Sequence, residues 1–371
     1  MIRSGEFKPI SSWGISDDRP FIIAGPCGAE SEIQLLETAK QLANNNRIHL
    51  FRAGVWKPRT RPGVFEGVGE VALEWLKTVK QETGLPVSIE VAHPKHVEKA
   101  LKADIDVLWI GARTSVNPFQ VQELADTLKG VDVPVMVKNP VNPDIELWIG
   151  TMERFMNAGV KRIAAIHRGF SSYENSSYRN KPNWEIPIEL KRRFPEVSLI
   201  CDPSHICGSV EPLNYISQFA MDLNYDGLMI ESHFDPNSAL SDAKQQVTPQ
   251  ALNALLDNLI LRDLKVDDVI ILSKLEDLRD QIDEVDDQII KTLANRMNIA
   301  RNIGDYKRLN NVTILQPERW DEILDTRTHN GIQNKLTKEF ILRLYSLIHE
   351  ESIHQQTKMM QKEINELKGS E

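Results

Sequence analysis

The chain has 371 residues, 41% hydrophobic and 26% charged, a globular balance that excludes a disordered or fibrous polymer. Its three cysteines, Cys27, Cys201 and Cys207, are too few and too unevenly spaced for a secreted disulfide framework, so free thiols in a reducing cytoplasm are expected. A net charge of −9 and the lack of any apolar run near the roughly 18 residues of a membrane span exclude general nucleic-acid and membrane partners, leaving local basic clusters as anion sites.

The N-terminal arm, residues 1–20, has no signal-like apolar core and is too small for a regulatory domain. Beyond it, eight short apolar runs alternate with amphipathic segments: FIIAG, IHLFRAG, VSIEV, VLWIGA, VPVMVKN, RIAAIHR, SLICDPSH and GLMIESH. Each run is nearly continuous in apolar character, as parallel strands covered on both faces require, and patterns such as SEIQLLETAKQLAN (31–44) supply the helices. Eight βα units over residues 21–262 predict an α/β protein with a (β/α)8 TIM barrel. The doubly wound alternative lacks its fingerprint, because GPCGAE does not match GxGxxG. In VTPQALNALLDNLIL, Thr248 as cap and Pro249 in the first turn mark the last barrel helix. A linker over 263–270 then leads to a small all-α three-helix domain, 271–371, with helices expected at 270–309, 317–329 and 337–367.

Chemistry in such barrels gathers where the loops leave the carboxyl ends of the strands. The eight ends carry Cys27; Arg52 with the loop KPRTRPGVFEG; Glu90; Arg113; Lys138; His167 and Arg168; Asp202 and His205; and Glu231 with Asp242 downstream. Cys27, His205, Glu231 and Asp242 combine a thiolate, an imidazole and two carboxylates, which suits one divalent ion of the Mn2+, Fe2+, Co2+ or Zn2+ type better than Mg2+ or Ca2+. Arg52, Lys57, Arg59, Arg113, Lys138 and Arg168 form a cationic set that would repel itself unless anions fill the mouth, so small phosphorylated substrates are expected. Cys201, inside an apolar strand, reads as core.

These motifs, GPCGAE, KPRTRPGVFEGVG, GAR, HRG, DPSH and IESH followed by Asp242, resemble the metal-dependent DAHP synthases of the shorter barrel subfamily over essentially the whole barrel. That family condenses phosphoenolpyruvate with erythrose 4-phosphate. The resemblance implies that Cys27, His205, Glu231 and Asp242 hold the metal, for which manganese is expected. It implies that Arg52, Arg113, Lys138 and Arg168 hold phosphoenolpyruvate, and that Lys57, Pro58, Arg59, Thr60 and Asp202 receive the sugar phosphate. Lys57, Glu90 and Lys138 are the catalytic candidates, the last two near the water that adds to the former enol. A Schiff-base aldolase with Lys138 as nucleophile is the rival on the same fold.

In the tail, Leu275, Ile282 and Ile289 recur at heptad spacing and Arg296 takes the next place in the row. Lys307 follows about 16 Å further along that helix. Arg279 flanks the stripe, Arg319 opens the second helix, and Ser352 and Gln356 stand one turn apart on the third. A dicarboxylate would satisfy this arrangement, and a dimerising hairpin with snorkelling cations is the bland alternative. The order LEDLRDQIDEVDDQIIKTLANRM, GDYK, PER and EESIHQQ resembles the all-α chorismate mutases. This implies a chorismate or prephenate pocket lined by Arg279, Arg296, Lys307, Arg319, Ser352 and Gln356, with Lys307 and Gln356 as donors to the ether oxygen. It also implies a homodimer in which Arg279 serves the partner's pocket, and feedback from the helices on the barrel. Trp320 and Gln316 stand where that family commonly carries acidic residues, which leaves a sensor and dimerisation module as the alternative to a mutase.

Overall fold

A computed structural model of the chain describes residues 7–44, 46–58, 63–173, 176–262 and 268–368. It divides into two compact units, Met1–Leu264 and Lys265–Glu371. In the first, strands β1 (Phe21–Gly25), β2 (Leu50–Ala53), β3 (Val87–Val91), β4 (Val107–Ile110), β5 (Val135–Lys138), β6 (Ile163–His167), β7 (Ser198–Cys201) and β8 (Gly227–Glu231) pair in parallel and in order. The barrel closes as β8 returns to β1, from Phe21 opposite Gly227 to Gly25 opposite Glu231. The expected eight strands are thus all present.

Helices α1 (Glu32–Ala43), α2 (Val71–Thr83), α3 (Pro94–Lys102), α4 (Pro118–Thr127), α5 (Ile145–Asn157) and α6 (Glu185–Arg193) cover the outside, as do α8 (Leu213–Asp222) and α9 (Pro249–Asp257), while the short α7 (Pro203–Cys207) follows directly on the carboxyl end of β7. Their starts follow the local chemistry. Ser31 caps α1 by accepting from Gln34 N, and Thr248 caps α9 by accepting from Ala251 N, both at 3.1 Å, with Pro249 as the first residue of α9.

Strand side chains alternate between two cores. Ile22, Phe51, Ile89, Leu108 and Val137 face the helices, whereas Phe21, Ile23, Leu50, Trp109, Met136, Ile166 and Met229 fill the barrel. The arm contributes Ile10 and Trp13 to the inner core, closing the foot of the barrel. Ile10 N donates to Ser198 Oγ (2.8 Å), and Arg162 Nη1 donates to the Trp13 carbonyl (3.4 Å). At the opposite end of β1, Gly25 has φ +145, and a Cβ there would strike the Arg52 backbone. Only glycine lets β1 turn out so close to β2, which brings Cys27 beside Arg52.

The second unit consists of α10 (Val269–Leu309), α11 (Pro317–Gln333) and α12 (Lys338–Lys368). Asp268 caps α10 by accepting from Ile270 N and Ile271 N (2.8 and 3.3 Å). The α10 and α12 backbones cross closely at Gly304, where a Cβ would lie 2.9 Å from Gln356 Cα. On the first half of α10, Leu275, Leu278, Ile282, Val285 and Ile289 repeat at alternating intervals of three and four and are all exposed. Among the described residues, no helix is long and apolar enough to cross a membrane.

The plug at the foot leads to a stability prediction. Trp13→Ala empties a buried indole volume and lowers the unfolding free energy of the barrel by about 3 kcal/mol, read from urea denaturation of the full chain. A change below about 1 kcal/mol would show that the arm merely rests on the barrel.

Candidate active site

At the carboxyl ends of the strands, polar side chains fall into two sets that meet at two buried carboxylates. Cys27 lies just beyond β1, buried. Its amide donates to Gln246 Oε1 (2.9 Å), and its carbonyl accepts from Arg52 Nη2 (3.1 Å) and Lys57 Nζ (2.6 Å). Its sulfur stands 3.2 Å from Asp242 Oδ2 and 2.9 Å from Lys57 Nζ. Burial, followed by the charge of Glu231, pushes the thiol up to about 12, so it keeps its proton unless a stronger cation than Lys57 faces it.

His205 sits in the short helix α7, whose first turn is capped by Asp202 through the His205 amide (3.1 Å). The ring Nδ1 lies 3.0 and 2.8 Å from the two Asp202 oxygens. Burial lowers the imidazole pKa, so the neutral ring donates from Nδ1 and leaves the Nε2 lone pair free to bind, the arrangement used by metal-ligating histidines. That Nε2 is 3.8 Å from Glu231 Oε1.

Glu231 ends β8, fully buried. Its Oε2 accepts from Gln245 Nε2 (2.6 Å). Oε1 lies 3.3 Å from Arg52 Nη1, within ion-pair reach but outside hydrogen-bond geometry, and is a buried acceptor without a hydrogen bond among the described residues. Burial opposes its ionisation, but His205 and Arg52 hold it below the ordinary carboxylate range. Asp242 has φ +51, and its Oδ1 accepts from Arg179 Nη1 (3.0 Å). There too burial opposes the charge, and Arg179 foremost outweighs it.

Among the described residues no three Cys, His, Asp or Glu side chains are drawn close enough to hold a metal. The four candidates stand as two pairs, Cys27 with Asp242 and His205 with Glu231. They nevertheless share one field, because the charges of Glu231 and Asp242 both act on Cys27. An imidazole lone pair, an unbonded buried carboxylate oxygen, a second carboxylate and a thiol fit a borderline-soft divalent cation.

The cationic set is less bare than the sequence suggests. Arg52 faces Glu231 and lies 4.9 Å from the centre of the Trp109 ring, while Lys138 Nζ donates to Asp202 Oδ2 at 2.7 Å. The expected mutual repulsion is therefore partly offset by two carboxylates inside the barrel. His205 and Lys138 keep Asp202 well below its usual value although burial opposes this. Lys138 Nζ is held against Asp202 in a buried ion pair rather than free to attack a carbonyl as a Schiff-base nucleophile would.

Arg168 donates to Asn180 Oδ1 (2.7 Å); burial lowers it to about 10, still a cation at neutral pH. Arg113 is exposed in the turn after β4, and its charge reaches Arg168. Glu90 rests against Gly111, where any Cβ would collide with its carboxylate. His167 is a structural residue, since its Nε2 meets the Pro182 carbonyl at 2.6 Å and its Nδ1 the Tyr225 hydroxyl at 3.0 Å. Lys57 and Pro58 are half-buried; Arg59 and Thr60 lie outside the described residues.

Several supporting residues were missed by reading the strand ends: Trp109, Arg179, Asn180, Gln245 and Gln246. Trp109 lies in the inward register of β4, and the other four occupy the same converging loops three or more residues further along, where strand periodicity gives no signal.

In the helical unit, Arg296 hydrogen-bonds Ser352, which also donates to the Ile348 carbonyl (2.7 Å). Lys307 is buried with Nζ on the Ile314 carbonyl (2.6 Å), and Gln356 Oε1 is buried without a hydrogen bond among the described residues. Burial lowers both cations, Arg296 and Lys307. Four of the six expected residues thus gather on the facing sides of α10 and α12. Arg319 is exposed and bonded to Glu322. Arg279 is exposed on the same continuous helix as Arg296, 17 residues and about 25 Å away, beyond the reach of one side chain. Trp320 stacks on His349 with ring centres 3.9 Å apart.

Comparison with known proteins follows the same division. Residues 12–266 match the DAHP synthetase I family, and residues 278–357 match chorismate mutase type II. Phospho-2-dehydro-3-deoxyheptonate aldolase of Thermotoga maritima is 30% identical over 238 residues, covering 64% of this chain and 68% of the relative. A crystal structure of the Thermotoga maritima enzyme aligns with a TM-score of 0.58 at 29% identity, covering 64% of this chain and 67% of that one. The 2-dehydro-3-deoxyphosphooctonate aldolase of Geobacter sulfurreducens is 29% identical over 268 residues, covering 67% of this chain and 95% of the relative.

Proposed function

The chain belongs to the DAHP synthetase I family and carries a chorismate mutase type II domain, and from that premise we propose how its residues divide the two reactions. The observation that carries the reading is the barrel mouth itself. There a donor set of Cys27, His205, Glu231 and Asp242 adjoins a cationic set of Arg52, Lys138 and Arg168 through the Arg52–Glu231 contact of 3.3 Å.

The family is generally metal-dependent, and the four donors would hold one divalent ion, with manganese our assignment. Such an ion supplies Lewis-acid polarisation of the sugar's aldehyde oxygen. Arg52, Arg113, Lys138 and Arg168 bind the phosphate and carboxylate of phosphoenolpyruvate and hold its enol carbon toward the aldehyde. Lys57, Pro58, Arg59, Thr60 and Asp202 receive erythrose 4-phosphate. The chief contribution of these cations is positional, because two anionic substrates otherwise repel each other. Lys138 is committed to Asp202, so Glu90 is the better acceptor for a proton from the water that adds at C2 before phosphate leaves.

In the helical unit Arg296, Lys307, Ser352 and Gln356 hold chorismate in a compact conformer, with Lys307 and Gln356 facing the ether oxygen. The pericyclic step needs no acid, base or nucleophile. The 25 Å separation of Arg279 from Arg296 and the exposed heptad row of α10 support a homodimer in which Arg279 completes the partner's pocket. We further assign feedback by prephenate, acting through different affinities for two states of the protein. Three free cysteines go with a cytoplasmic location.

Kinetic measurements test these assignments. The heptonate and octonate names of the relatives differ by one carbon, so the sugar phosphate is the point of choice. With phosphoenolpyruvate and Mn2+, the four-carbon erythrose 4-phosphate is expected to exceed arabinose 5-phosphate at least tenfold in kcat/KM, and a preference for the five-carbon sugar overturns the assignment. Chelation abolishes this reaction, and Cys27→Ser lowers kcat at least tenfold in saturating phosphoenolpyruvate; undiminished turnover after exhaustive chelation counts against the metal. For the helices, Arg279→Ala and Arg296→Ala each lower mutase kcat/KM by about a hundredfold, the loss of a charge-assisted contact of about 3 kcal/mol. Mixed and reassociated, the two variants recover mutase activity if pockets are shared between chains, and recover none if each chain is self-sufficient. Prephenate inhibition of the barrel reaction is weakened in Arg296→Ala, whereas inhibition identical to wild type removes the feedback assignment.

A further inference from the structure

The loop between β6 and α6 carries two neighbouring side chains, Arg179 and Asn180, that belong to neither the four donors nor the phosphoenolpyruvate cations. The Arg179 and Asn180 amides donate to the carbonyls of Cys207 and Ile206 (3.3 and 3.2 Å), which lays this stretch along α7. Asn180 Nδ2 donates to the His205 carbonyl (2.6 Å), while its Oδ1 accepts from Arg168 (2.7 Å). Arg179 Nη1 donates to Asp242 Oδ1 (3.0 Å) and to Gln245 Oε1 (2.7 Å), and Gln245 passes the constraint to Glu231 Oε2 (2.6 Å). The next residue, Gln246, accepts from the Cys27 amide (2.9 Å).

Gly208, the left-handed cap of α7 at φ +72, makes room for this: a Cβ there would lie 2.6 Å from Arg179 Cβ. One dipeptide therefore touches the His205 helix, Asp242 and, through Gln245, Glu231. It also reaches Arg168 of the cationic set.

We infer that Arg179 and Asn180 are positioning residues that fix Asp242, Glu231 and His205 relative to one another and thereby set the affinity for a divalent cation. The inference rests on the metal reading proposed above. Arg179 itself is 43% exposed at the side chain, so its ion pair with Asp242 contributes little to folding. Its effect is directional: the guanidinium takes Oδ1 of Asp242 and leaves Oδ2 on the side of Cys27. Groups that orient ligands in this way typically change metal affinity by 10- to 100-fold (roughly) when removed.

The test uses the full chain freed of metal and titrated with Mn2+, free Mn2+ being read by electron paramagnetic resonance, with thermal unfolding of the metal-free protein measured alongside. Arg179→Ala is expected to weaken Mn2+ binding about tenfold or more while the metal-free Tm stays within about 2 °C, and Arg179→Lys to recover part of the affinity. Asn180→Ala should weaken Mn2+ and also raise the KM for phosphoenolpyruvate through Arg168, a split that Arg179→Ala does not show at saturating Mn2+. An Arg179→Ala affinity within twofold of wild type, or a fall in its metal-free Tm of more than about 5 °C, overturns the inference while leaving the metal reading intact. Wild-type protein that binds no Mn2+ overturns both.

Discussion

Ionising a carboxylate inside a barrel is costly, and this molecule does it twice at adjacent places. Asp202 and Glu231 are fully buried, yet both are held in the charged form because a cation from a nearby strand faces each of them, Lys138 for the first and Arg52 for the second, while the His205 ring donates to Asp202. The rest of the mouth follows from that balance. Asp202 fixes the His205 ring and the start of its helix, and so decides which nitrogen faces Glu231. Arg52, drawn toward Glu231, is packed beside Trp109 and donates to the Cys27 carbonyl, tying β1 to β2. Removing one partner from such a set leaves an unbalanced buried charge, so these residues constrain one another as a group.

The sequence disclosed the fold because each strand is apolar on both faces and ends in a residue the core would not tolerate. That rule delivered Cys27, Arg52, Lys138, Arg168, Asp202, His205 and Glu231 to one face, where the structure has them. It failed for residues whose role depends on a partner far along the chain. Gln245 and Gln246 look like loop polarity until they are seen holding Glu231 and the Cys27 amide. Trp109 reads as core, which it is, and only its closeness to the Arg52 guanidinium shows that it also shapes the anion side. Charge counting also misled in one respect: a row of basic residues suggested bare positive potential, but Arg52 and Lys138 are matched within the barrel wall.

In the helical unit geometry is set by length. A 41-residue helix cannot bring its two ends to one pocket, so the basic residues of α10 are divided between places about 25 Å apart, whatever their chemistry. The crossing at Gly304 places α12 near enough for Gln356 and Ser352 to face Lys307 and Arg296, while the first half of α10 keeps an apolar row turned to solvent. Heptad spacing made that row visible in the sequence, and the outlying Arg279 flanks it. The burial of Lys307, with its Nζ on the Ile314 carbonyl, and the buried Gln356 oxygen, which has no hydrogen bond among the described residues, were not visible, because both depend on residues outside the repeat.

The stopper formed by Ile10 and Trp13 bears on the order of assembly. Ile10 bonds to Ser198, 188 residues later, and Trp13 lies among side chains from strands that span the whole barrel. During synthesis this segment leaves the ribosome well before its seat exists, and it docks only once the seventh strand has been made. Sealing the floor is consequently a late event, and a nascent barrel arrested before β7 would expose an aromatic end that chaperones can recognise.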